Sequence, residues 1–141
     1  MWRLALLVLF AATPILCGCG SEYPPRYPIS GVVKFRDGSP VKTGTIEACV
    51  PGSPWTATGT IARDGTFSLT TVKPNDGAIA GEHQVIVRQL IVTYLPVKGH
   101  HDHGKLVDPK FADYKTSKLT LTVDKAGNNK VELIVDEKPS K

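Results

Sequence analysis

From residue 29 onward, apolar and polar side chains alternate with a period of two. "ISGVVKFR" puts Ile29, Val33 and Phe35 on one face, and "TGTIEACV" does the same with Ile46, Ala48 and Val50. "TFSLTT" contributes Phe67 and Leu69, "EHQVIV" Val85 and Val87, "KLTLTV" Leu119, Leu121 and Val123, and "KVELIV" Val131, Leu133 and Val135. This is the spacing of strands that bury one face, not the 3.6-residue spacing of helices. Turn signals punctuate the runs. Asp37-Gly38 and Asp64-Gly65 suit tight turns, and Pro74-Asn75-Asp76-Gly77 and Gly127-Asn128-Asn129 suit longer ones. With "WTATGTIAR" added, about seven strands follow at short intervals, which predicts an all-β antiparallel sandwich over residues 29–136.

Composition narrows this picture only a little. A chain of 141 residues, 41% of them apolar and 21% charged, suits one domain with a core and a processed or extended end. The net charge of +4 is spread without a dense Lys/Arg block, so no nucleic-acid partner is inferred.

The first residues break the alternation. Arg3 gives a short positive start, and Leu4 to Leu16 is an uncharged run of 13 residues. At ~1.5 Å per helical residue that run is too short for a bilayer core of ~30 Å. A small-residue site follows, as in a secretory signal. Leu16-Cys17-Gly18-Cys19 resembles the bacterial lipobox, with Leu three positions and a small residue one position before the modified cysteine.

That resemblance implies cleavage before Cys19 and a diacylglycerol thioether on it, with palmitate-type chains giving durable anchoring. An ordinary N-terminal anchor or uncleaved helix is the alternative. The layout is then a lipoprotein signal peptide at 1–18, a lipidated, proline-rich spacer at 19–28, the β domain at 29–136 and a polar tail at 137–141. The protein would be extracytoplasmic and lipid-anchored to a bacterial membrane. Gly20 rather than Asp after the lipid cysteine favours the outer membrane over the inner. Cys17 leaves with the peptide, and Cys49 has no partner for a disulfide.

Three further stretches carry a family likeness. "YPISGVVKFRDGSPVKTGTIEAC", then "GTIARDGTFSLTT" with "DGAIAGEHQVIV", then "KFADYKTSKLTLTV" resemble carboxypeptidase regulatory-like domains. These are transthyretin-like (prealbumin-like) sandwiches, and the likeness is greatest to a group of small bacterial lipoproteins. It implies a single seven-stranded antiparallel Greek-key β-sandwich and brings no catalytic residues. Transthyretin-like ureide hydrolases end in Tyr-Arg-Gly-Ser, whereas this chain ends "VDEKPSK".

Candidate chemistry concentrates in "KGHHDHGK", residues 98–105. In an extended segment His101 and His103 project to one side and His100 and Asp102 to the other, so the stretch could chelate Zn²⁺, Cu²⁺ or Ni²⁺. The plain alternative is a solvated loop between strands. His83 shares the parity of Val85 and Val87 and should face inward with a hydrogen-bond partner. Cys49 shares the parity of Glu47, and no neighbouring base is evident to activate its thiol. Trp55, Tyr94 and Tyr114 offer an aromatic surface for sugar or peptide, or packing over a sheet end. No nucleophile elbow, phosphate-cradling loop or carboxylate pair is present, so no enzymatic activity is expected. The expectation is a non-catalytic structural or interaction module at the cell envelope. Its loops or an edge strand would meet an unknown envelope protein or glycan, with metal binding or carbohydrate binding as the alternatives.

Overall fold

The computed structural model describes residues 23–89, 91 and 104–139. Among these the chain is almost entirely β. The strands are β1 (Arg26–Tyr27), β2 (Ile29–Phe35), β3 (Gly44–Cys49), β4 (Thr56–Ile61), β5 (Thr66–Ser68), β6 (Ala78–Ile79), β7 (Gly81–Arg88), β8 (Leu119–Val123) and β9 (Asn129–Val135). The only helical pieces among the described residues are a 3-10 turn at Pro109–Ala112 and the four-residue α1 (Tyr114–Ser117). Asp108 and Asp113 cap them by accepting from the amides of Lys110 and Lys115.

Two sheets make up the body, ordered β5-β2-β9 and β4-β3-β7-β8, while β1 and β6 form a separate two-stranded ribbon. The apolar faces of the two larger sheets enclose one core. Val33, Phe35, Ile46, Ala48, Leu69, Val85, Leu121 and Leu133 all lie in it and are essentially inaccessible to water. Burying each Val, Leu, Ile or Phe contributes about 1.5–3 kcal/mol, so this cluster dominates the folding energy.

Among the described residues the two larger sheets hold seven strands, three and four, and the two-residue β1 and β6 stand outside them. The expectation of a wholly antiparallel arrangement is corrected: β2 pairs with β9 in parallel over seven residues, from Ile29↔Asn129 to Phe35↔Val135. Alternation within a strand says which face is buried and nothing about which strand lies alongside. The first and last long strands meet only after the rest of the chain has crossed between the sheets. Gly31 makes this contact close. A Cβ there would stand 2.3 Å from the carbonyl oxygen of Val131 and 2.8 Å from the ring of Phe67.

The start of the described chain is tied down by one carboxylate. Asp76 accepts from the amides of Thr71 (2.7 Å), Val72 (3.1 Å) and Lys73 (2.9 Å), and from Arg26 Nε at 2.7 Å. Burial resists its ionisation. The amides and the guanidinium outweigh that resistance and hold the carboxyl below the ordinary aspartate range. Arg26 and Tyr27, in the proline-rich stretch, are thereby fixed against Ile79 and Ala78. Replacing Asp76 by Ala should cost roughly 2–3 kcal/mol, since hydrogen bonds to charged groups contribute ~1.5–3 kcal/mol and the backbone donors can partly rehydrate. The stabilisation should persist above the unfolded aspartate pKa and vanish as pH falls through the depressed native one. Urea unfolding of the wild type and of Asp76→Ala, at neutral pH and near pH 3, checks both points.

Candidate functional site

The polar faces of the two sheets meet in a groove of about 1020 Å³. It is lined by solvent-facing residues of β2, β3, β4, β5 and β9, with Ile46 and Phe67 of the inward parity in its floor. The β4–β5 hairpin turns at Asp64-Gly65 and carries the chain from one sheet to the other. An isolated bridge, Thr58↔Thr70, keeps its two arms together. Gly59 allows the crossing, because a Cβ there would lie 2.5 Å from the carbonyl oxygen of Ser68. On the groove side the register sets Thr45 opposite Thr60 and Ser30 opposite Ser68.

The hydroxyls of Ser30, Thr45, Thr58, Thr60 and Ser68 line this groove, and none has a hydrogen-bond partner among the described residues. Each can donate and accept at once. Neighbouring strands space them ~4.8 Å apart, and alternate residues on one strand ~6.8 Å apart. Glu47 and Lys130 stand among them with opposite charge, Glu47 being already bonded to Arg88. The arrangement is a lattice of open donors and acceptors, suited to binding a polar, extended ligand and lacking an activated nucleophile.

Cys49 and Glu47 lie on the outer face of the four-stranded sheet, as their parity predicts. That face is partly roofed by residues 109–118. Ser117 Oγ donates to the Val85 carbonyl at 2.6 Å, and Ile86 beneath is fully buried. Tyr114 is brought against Cys49 here, which no sequence spacing foretold. The Tyr114 hydroxyl is buried without a hydrogen bond of ordinary geometry. Burial first, then the neighbouring thiol and Glu47, push its pKa well up. A phenol held protonated cannot serve as base for the thiol, so the cluster supplies a nucleophile atom without its activator.

His83 is 1% exposed and faces the core side, as expected, with Nδ1 3.1 Å from the Gly81 carbonyl oxygen. Burial lowers its pKa, and the Gly81 bond only partly offsets this. Trp55 packs edge-on against Tyr23 near a sheet end, and Tyr114 sits in the roof segment. Tyr94, the third aromatic of the surface expected from sequence, lies outside the described residues.

His100, His101, Asp102 and His103, with Cys19 and the whole of 1–22, likewise lie outside the described residues. Among the described residues no group of three or more His, Cys, Asp or Glu side chains is arranged to hold a metal. What is placed is the base of the histidine segment. Gln89 spans it, accepting from the amide of Val107 at 2.8 Å and donating to the Lys105 carbonyl at 3.3 Å. A more apolar hollow of about 690 Å³ opens beside that base, between Gly44, Arg88, Val107 and Pro109. Among the described residues no helix is long and apolar enough to cross a membrane.

Compared with known proteins, the chain matches no family model, no curated protein and no solved structure. The groove hydroxyls were the feature sequence reading passed over. Their signal was present, as Thr and Ser recur at the solvent parity of "TGTIEACV", "TATGTIA" and "TFSLTT".

Two outcomes follow from these environments. Tyr114→Phe removes a buried hydroxyl with no well-formed hydrogen bond among the described residues, so stability should be unchanged or higher by up to ~1 kcal/mol in urea unfolding, where a lost native bond would lower it. His83 has a depressed native pKa, so it must stay neutral to fold. The native state should be stable above the unfolded histidine value of about 6.5 and lose stability as pH falls below it. Urea midpoints between pH 7.5 and 5 should drop in the wild type and flatten in His83→Leu. The paired aspartates act in a lower window, Asp136 being held at about 2 by its bonds to Arg36 and Lys110.

Proposed function

We propose that this chain is a lipid-anchored, extracytoplasmic binding module of the carboxypeptidase regulatory-like type, a transthyretin-like Greek-key sandwich without catalysis of its own. Cys19 carries the lipid, and the domain presents a recognition surface at a bacterial envelope. The observation that carries the binding role is the groove of about 1020 Å³, with five hydroxyls that have no hydrogen-bond partner among the described residues. A site of that size and polarity suits an envelope glycan, whose hydroxyls can pair with donors and acceptors alike. Stacking on Trp55 is not required for this, because the ligand lies along the sheet faces.

Thr58→Val and Thr60→Val keep side-chain shape and strand propensity while deleting two hydroxyls. Two lost bonds at ~0.5–1.5 kcal/mol each predict about a tenfold rise in Kd for the double variant. Calorimetry of the full chain against peptidoglycan fragments and other envelope oligosaccharides provides the measurement, with thermal unfolding to confirm that the variant is folded. Binding that is absent in the wild type, or equal in the two proteins, overturns the groove assignment.

A further inference from the structure

The two ends of the domain differ, and strand register identifies them. The starts of β2 and β9 lie side by side at Ile29 and Asn129. The end of β8 pairs with the start of β7, Val123 with Gly81, and the end of β3 with the start of β4, Cys49 with Thr56. Five residues link Val123 to Asn129, so these termini share one end. Loops 50–55, 69–77 and 124–128 gather there with the first described residues. The histidine segment springs from the opposite end, beyond Arg88.

At the first end the fold grips the chain early. Tyr23 lies edge-on against Trp55, with ring centroids 5.3 Å apart and planes at 69°. The guanidinium of Arg26 stands 5.7 Å from the Tyr23 ring and is itself fixed by Asp76. Tyr23 and Val72 are two of the few large apolar side chains left exposed among the described residues, at 42% and 39%. Only residues 20–22 separate Cys19 from Tyr23. Four Cα steps reach ~14 Å at most, about twice the ~5–7 Å thickness of one headgroup layer.

We propose that this end is a membrane-apposed face, in which Trp55 and Tyr23 enter the headgroup layer of a phospholipid bilayer and the strands stand away from it. The proposal rests on acylation of Cys19. With so short a leash, the lipid anchor holds the aromatic pair at high effective concentration beside the surface, and weak interfacial affinity is enough. Tyr and Trp are the side chains that favour that layer, with an apolar body and a polar tip. Exposed charges nearby, Lys73, Lys125 and Lys130 against Glu82 and Asp124, leave one net positive charge. Contact therefore leans on the aromatic pair and does not need anionic lipid. Strands of about seven residues at ~3.3 Å each carry the base of the histidine segment some 20–25 Å farther out.

Trp55 reports on this directly, because Trp2 is the only other tryptophan and is removed with the signal. The full chain would be purified from bacterial membranes, its mass measured, and the protein reconstituted into phosphatidylcholine vesicles carrying a headgroup nitroxide. Trp55 fluorescence should fall at least twofold, with little change on adding salt. In a Trp55→Phe/Leu106→Trp variant the sole reporter sits at the opposite end and should keep its intensity. An acylated protein whose Trp55 is quenched no more than that control overturns the docked face and leaves the anchor standing. A mature chain without acyl mass overturns the anchor, and the docked face with it.

Discussion

β2 is the middle strand of its sheet, with β5 on one side and β9 on the other, so the first long strand cannot complete its hydrogen bonds until the last is in place. The β9 partnership runs in parallel over all seven residues of each strand, which no hairpin can supply. One wall of the core is presented on this sheet: Ile29, Val33 and Phe35 from β2, Phe67 from β5, and Leu133 and Val135 from β9. If β9 were displaced, the inward side of Gly31, closed by Val131 and Phe67, would open to water. Folding must therefore wait on a contact about a hundred residues apart in sequence, a high cost in loop closure that only the completed core offsets.

The same pairing defines the polar architecture. Because β2 is central, its solvent-facing Ser30 lies between Ser68 of β5 and Lys130 of β9. The β4–β5 hairpin then brings Thr58 and Thr60 of the other sheet to the same hollow. Inward parity builds the core and outward parity the groove, so one two-residue period encodes both. The groove hydroxyls cost little to hold, since Thr45, Thr58, Thr60 and Ser68 are exposed to water and Ser30 is partly so. The buried Tyr114 hydroxyl is the opposite case, a polar group desolvated beside the Cys49 thiol without a well-formed hydrogen bond among the described residues.

Period-two alternation made the core legible, and the inward placement of His83 with it. It failed where tertiary covering overrode parity. Ile86 sits on the polar side of β7 yet is fully buried, because residues 109–118 cross over that face. Val131 sits on the apolar side of β9 yet is only partly covered, being near the strand's open start. Parallel pairing, the approach of Tyr114 to Cys49 and the meeting of two polar faces depend on which strands become neighbours. Those are long-range facts, and spacing within a segment carries no record of them. The groove could have been suspected from threonines on the solvent parity of successive segments, but strand propensity alone explains threonine equally well until the faces are seen to converge.

Grip on the chain start gives these features an orientation. Asp76 joins the loop after β5 to Arg26, and the neighbouring Asn75 lies on the groove wall. The carboxylate that fixes where the chain leaves the domain thus also shapes the near end of the groove. If the Trp55 end sat on a bilayer as proposed, the groove would follow its strands away from the surface, from Asn75 and Lys130 at that end toward Ala62 farther out. A polymer lying parallel to the membrane would then cross the groove, whereas one rising from the membrane would run along it. Hydroxyl rows are ~6.8 Å apart along strands and ~4.8 Å across them, so the two approaches meet different spacings. Under the proposed placement, tether geometry and the direction of ligand approach would be coupled through this single loop.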